Sequence, residues 1–154
     1  MASTLSFTLE EKLMVNGVDY GSTRTKTIST ITNVYKTTVA VSTSGGEVLA
    51  LAGAAGNIGT LDQNTIEYMR ITNLDANNFV ELGFEDTSGN NAYFVKLDAG
   101  RSFIVPTSNT TTEHPGFFAN DSAHTTSTHV DITSITADAD TAACNLEILV
   151  AMNG

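Results

Sequence analysis

The stretch Thr65-Ile66-Glu67-Tyr68-Met69-Arg70-Ile71-Thr72-Asn73-Leu74 is apolar on both sides of a two-residue period, Ile66 and Tyr68 against Met69 and Ile71. Successive side chains of a strand point to opposite faces, so this pattern predicts a central strand covered on both sides. Asn73-Leu74-Asp75-Ala76-Asn77-Asn78 then turns the chain, and Val80, Leu82 and Phe84 make one apolar face. Asp86-Thr87-Ser88-Gly89-Asn90 turns it again and Tyr93, Val95 and Leu97 answer, the pattern of a β-hairpin. Asp98-Ala99-Gly100-Arg101 reads as a tight turn in which Gly100 is free to take positive φ, and Phe103-Ile104-Val105 as a strand that stops at Pro106.

Towards the N-terminus, Leu5, Phe7, Leu9, Leu13 and Val15 take the odd positions, with Glu11 the one interruption, while Ser6, Thr8, Glu10 and Lys12 take the even ones. A strand with one buried face is expected. Asn16-Gly17 is a strong hairpin signal, which Asp19-Tyr20-Gly21 suggests is part of a turn longer than two residues. The return strand, Ser22 to Val34, opens polar on both faces, as suits a projecting or edge ribbon, and Arg24 and Lys26 discourage edge-to-edge pairing. Tyr35 to Val41 and Glu47 to Leu51 read as strands around the turn Ser42 to Gly46, and Gly53, Gly56 and Gly59 mark a loop.

Towards the C-terminus the period vanishes over residues 107–128, a long polar loop of the kind that is usually functional or mobile. Val130 to Ile135 reads as a strand and Ala137 to Thr141 as a turn. Cys144, Leu146, Ile148 and Val150 form the inward face of a closing strand. With no repeat and no linker, the chain is expected to be one all-β domain over residues 1–154, an antiparallel β-sandwich or jelly-roll-like barrel of about nine or ten strands.

Composition agrees. The chain holds 24 threonines, and only 16% of its residues are charged, below the usual share of about 25%. Thr is stiff at χ1 and favours strands, so the solvent faces are written for sheets and not for helices. Seven Lys plus Arg against seventeen Asp plus Glu give a net charge of −10. Binding to nucleic acid needs clustered cations, and Lys12, Arg24, Lys26, Lys36, Arg70, Lys96 and Arg101 are scattered, so no direct nucleic-acid partner is expected. The acidity also repels anionic lipid, and no apolar run approaches the roughly 18 residues that would span a bilayer, so no membrane partner is expected. Cys144 is the lone cysteine and has no intramolecular bridging partner. Met1-Ala2-Ser3-Thr4-Leu5 has neither a basic n-region nor an apolar h-region, which points to synthesis in a cytoplasm.

No constellation carries chemistry. His114, His124 and His129 lack the i, i+4 spacing of a helical zinc site, and Asp131, Asp138 and Asp140 lack the ligand series of a calcium loop. There is no Gly-x-Ser-x-Gly elbow, Cys144 sits inward in an apolar alternation, and Gly53, Gly56 and Gly59 lack the context of a phosphate cradle. Glu81 and Glu85 are close in sequence, but a glycosidase pair also needs a groove and a defined separation. The chain is therefore expected not to be an enzyme and to use no cofactor or metal. What remains is surface. Phe117 and Phe118 beside Pro115-Gly116 are candidate interface anchors, or plugs for an open end of the fold. The N-terminal strand, with Leu5 and Phe7, is a second candidate contact if it is not simply paired with the return strand.

Several phrases are familiar together: Met1-Ala2-Ser3-Thr4-Leu5, Asn16-Gly17-Val18-Asp19-Tyr20-Gly21-Ser22-Thr23, Arg70-Ile71-Thr72-Asn73-Leu74-Asp75, Val95-Lys96-Leu97-Asp98-Ala99-Gly100-Arg101-Ser102-Phe103 and Ile135-Thr136-Ala137-Asp138-Ala139-Asp140-Thr141-Ala142. The ensemble resembles small virion-associated proteins of tailed bacteriophages, especially marine and cyanobacterial ones. That resemblance implies a β-rich structural subunit, a capsid decoration or cement protein at the virion surface. Its partners would be the major capsid protein and further copies of itself, for instance as a trimer. A tail or fibre component shares the same features. A carbohydrate-binding module is the alternative of another class, though the chain has no Trp and Tyr20, Tyr35, Tyr68 and Tyr93 are spread over different segments.

Overall fold

The computed structural model describes residues 3–52, 60–86, 92–106, 118–119 and 130–154. Strands follow one another as β1 (Ser3–Glu10), β2 (Met14–Val15), β3 (Val18–Asp19), β4 (Thr23–Ile31), β5 (Asn33–Val41), β6 (Gly46–Ala52), β7 (Thr60–Asp62), β8 (Ile66–Asn73), β9 (Val80–Asp86), β10 (Ala92–Leu97), β11 (Ser102–Pro106), β12 (Phe118–Ala119), β13 (Val130–Ala139) and β14 (Cys144–Met152). The fold is all-β, as the alternation predicts. The strands exceed the expected nine or ten because β2, β3, β7 and β12 are only two or three residues long, too short to show a period.

Two sheets face each other across one core, as a sandwich and not a closed barrel. One is antiparallel throughout, in the order β11-β8-β14-β5. The other runs β10-β9-β13-β6-β7, with β12 also on β13, and its β6–β7 pair is parallel. Met69, Ile71, Leu146, Ile148 and Val150 from the first meet Leu49, Leu82, Phe84, Ile132 and Ile135 from the second, all buried in a single cluster. Phe84 stacks on Tyr93 with ring centroids 4.6 Å apart and leans on Phe103 of the opposite sheet at 5.3 Å. Cys144 lies in this core, 1% exposed, and burial pushes its thiol up in pKa, so it behaves as a small hydrophobe.

Strand β8 is central, as expected, and the reason for its two apolar faces is visible. Met69 and Ile71 enter the inter-sheet core, while Tyr68 points to the outer face of its sheet and is buried there by β1 and β4. Ile66 does not share that outer face with Tyr68. A register shift pairs Ala151 with Tyr68 but Met152 with Ile66, and returns Ile66 to the main core. The end of the sandwich is closed by Asn73, fully buried, whose Nδ2 donates to the carbonyls of Asn78 and Leu97. Beside it, the Asp75 carboxylate accepts the Asn77 and Asn78 amides, which hold its pKa below the ordinary value.

The expected return strand Ser22 to Val34 is two strands. Thr32 breaks it between β4 and β5, where its hydroxyl donates to the Gly154 carbonyl and accepts the Gly154 amide. β13 runs on through Ala139, so the turn expected at Ala137 to Thr141 begins only at Asp140.

Candidate interaction surface

β1 and β4 belong to neither sheet of the sandwich; they form a two-stranded ribbon of their own. Leu5 pairs with Ile28, Phe7 with Lys26 and Leu9 with Arg24. The register continues without a slip through the Glu11 amide on the Ser22 carbonyl and the Tyr20 amide on the Leu13 carbonyl to Val15 opposite Val18. Residues 5–28 are therefore one hairpin. Its turn is only two residues long, Asn16 and Gly17, at φ +51° and +80°. Positive φ at both central positions is the turn whose twist matches its flanking strands, and it corrects the longer turn expected from Asp19-Tyr20-Gly21. Asp19 instead accepts the Gly21 amide locally.

The ribbon has two faces. Ser6, Thr8 and Glu10 with Thr23, Thr25 and Thr27 make a polar one, on which the Thr8 and Thr25 hydroxyls meet at 2.9 Å. The other carries the apolar residues of the N-terminal alternation, and its root is seated. Leu5, Phe7, Ile28 and Ile31 pack on Tyr68, Leu149 and Ala151, on the outer face of the four-stranded sheet. The rings of Phe7 and Tyr68 lie 5.1 Å apart. At the root β4 carries a bulge, and Thr30 sits there at φ +69°, a strained conformation for a β-branched residue.

Beyond the root the apolar face joins no core cluster among the described residues. Leu9, Leu13, Val15, Val18 and Tyr20 are 44 to 67% exposed. At about 3.4 Å per residue the stretch from Leu9 to the turn reaches roughly 25 Å past the seat. This corrects the buried face expected of the whole N-terminal strand: burial stops after Phe7. Leu5 and Phe7, the candidate contacts from sequence, are half-buried against the four-stranded sheet of their own chain and paired with the return strand. The exposed apolar surface lies further out on the same face.

Charge divides the same way. Residues 3–31 hold Lys12, Arg24 and Lys26 against Glu10, Glu11 and Asp19 and are neutral, so the remaining four cations and fourteen carboxylates carry the whole −10. Among the described residues the ion pairs engage Lys36 and Arg70 with Glu147, and Lys96 with Asp98; the ribbon cations are in none. Lys36 and Arg70 hold the Glu147 carboxyl below its ordinary pKa.

The remaining sequence candidates are not brought together. Phe117, His114, His124 and His129, the glycines 53, 56 and 59 and most of the 107–128 loop lie outside the described residues; the backbone of Phe118 lies in β12, beside Asp131. Glu81 and Glu85 lie on the outer face of β9, alternating with buried Leu82 and Phe84, and Glu85 accepts the Thr136 hydroxyl. Among the described residues no three His, Cys, Asp or Glu side chains converge as metal ligands, and no helix is long and apolar enough to cross a membrane. A shallow groove of about 300 Å³ is lined by Asn33, Leu61, Asp62, Thr65 and Met152. Comparison with known proteins finds no matching family model, curated protein or solved structure.

Proposed function

We propose that this chain is a structural subunit of a bacteriophage particle, a capsid decoration or cement protein that binds the major capsid protein and other copies of itself and acts by binding, without turnover. The observation that carries the reading is the ribbon, an amphipathic hairpin anchored at one end to a separately packed sandwich, with an apolar face that the described residues leave exposed. A contiguous exposed apolar patch of this kind marks a contact surface. Extended arms of this shape suit a coat component, because they reach past the subunit's own footprint, and many weak contacts become strong when repeated on one particle. The resemblance of the turn and core phrases to virion-associated proteins of tailed phages supplies the identity of the particle. The acid excess supports it as a means of limiting nonspecific association while subunits accumulate in a host cytoplasm.

Quantitative mass spectrometry of purified particles tests the proposal. A copy number comparable to that of the major capsid protein is expected of a decoration protein. A few copies per particle would move the chain to the tail or its fibres, and absence from particles would overturn the reading.

A further inference from the structure

The molecule carries a second exposed apolar feature, on the side away from the ribbon. On the outer face of the β10-β9-β13-β6 sheet, Phe94 is 61% exposed and lies across Gly83, which has no side chain of its own to cover. Glu81 and Glu85 flank it on the neighbouring strand β9, Asp138 lines the same shallow depression from β13, and Glu47 lies farther across the same face on β6. Glu81 and Asp138 face each other directly across β9 and β13, and like charges so placed repel. No cation among the described residues forms an ion pair with either; Lys96, the other cross-strand neighbour of Glu81, turns to Asp98 at 3.0 Å.

We propose that the distal ribbon of one copy seats on this acidic, Phe94-centred sheet face of a second copy. The two surfaces complement each other in both respects that decide docking. One presents Leu9, Leu13 and Tyr20 with Arg24 and, at the edge of the seat opposite Phe7, Lys26 on the same side of the hairpin, where the Glu11 carboxylate accepts the Ser22 hydroxyl and the two cations are in no ion pair among the described residues; the other presents an aromatic ring beside carboxylates. Apolar contact supplies the attraction, and the opposite charges fix register and exclude a body-to-body approach, since the body carries −10. The contact joins different copies. The ribbon is rooted on the outer face of one sheet and the Phe94 surface is the outer face of the other, with the core between them. A contact between two different surfaces of the same chain is head-to-tail, so it closes into a ring or continues as a chain around a particle.

This inference deepens the assembly reading and rests on it, and its test is made on the purified full-length chain. Sedimentation of the wild type is expected to give a weight-average mass that rises above the 16.2 kDa monomer with concentration and falls back as salt is added. Reversing the ribbon (Arg24→Glu with Lys26→Glu) or the face (Glu81→Lys with Asp138→Lys) should leave each variant monomeric. An equal mixture of the two should associate again, because the unaltered ribbon of one, with Arg24 and Lys26 in place, then meets the unaltered face of the other. Leu13→Ser with Tyr20→Ser, which alters no charge, should also abolish association and serves if a charge variant fails to fold. A wild type that stays monomeric, a ribbon variant that associates like the wild type, or a folded mixture that stays monomeric overturns the inference. Self-association as described by a chain absent from particles would sink the virion reading alone; a chain abundant in particles whose mixture shows no rescue would sink the ribbon-to-face contact alone.

Discussion

At Gly83 a Cβ would overlap the Thr136 hydroxyl and come within 3.1 Å of the Phe94 ring. Gly83→Ala is therefore expected to lower stability by about 1–3 kcal/mol through overpacking, as read by urea unfolding, and Thr136→Ala in the same chain should return part of the loss. Thr30 is the opposite case. Its φ of +69° is open to glycine without a Cβ clash, so Thr30→Gly should stabilise the ribbon root by up to about 1 kcal/mol, seen as slower amide exchange at Ile28 and Ile31. Burial pushes the Tyr93 phenol up to about 12. A folded value above the unfolded one of about 10 leaves stability untouched below that pH and removes it progressively as pH rises through the folded value. Tyr93→Phe should thus move alkaline unfolding to higher pH, followed by circular dichroism. Glu147 carries the opposite sign: its depressed pKa gives a stabilisation present above the ordinary carboxylate range and lost as pH falls through the lower, folded value. At this scale the sequence is least legible, because Gly83 and Thr30 look like weak strand residues until their neighbours across the sheet are known.

The ribbon is the element on which sequence and structure most usefully differ. Its alternation and the polar opening of its return strand were legible, since each is a local signal, and Asn16-Gly17 marked the place of the turn though not its two-residue length. What covers an apolar face is not local: Leu5 and Leu13 occupy equivalent places in the period, yet one is seated on the sandwich and the other is exposed. Stability should divide at the same point. Ile31→Ala, at the root, is expected to destabilise by about 2–5 kcal/mol, whereas Leu13→Ser should stay within about 0.5 kcal/mol in the isolated chain. Replacing residues 11–22 by Asn-Gly should leave the melting temperature of the sandwich nearly unchanged, because the removed segment contributes to neither core cluster of the described residues. Gly21 limits redesign of the arm, since a Cβ there would collide with the Glu11 backbone.

In the whole molecule, the sandwich was legible as a class because the β9–β10 hairpin and the turns at Asn73 and Gly100 are short and carry their own chemistry. The sheet order was not, since β14 joins β5 to β8 and β13 joins β9 to β6 through pairings between residues far apart in sequence. Cutting into that shared core should be felt globally: Ile148→Ala, with its side chain fully buried between the sheets, is expected to cost about 2–5 kcal/mol and to lower the single unfolding transition as a unit. The proposed function places the contact on the ribbon face that the described residues leave exposed. The direct measurement is binding of the purified chain to phage heads that lack it, compared with binding of the chain whose residues 11–22 are replaced by Asn-Gly. Saturable binding of the full chain and loss of binding by the trimmed one at unchanged thermal stability are expected. Equal binding by both, or no binding by the full chain, would contradict the proposal.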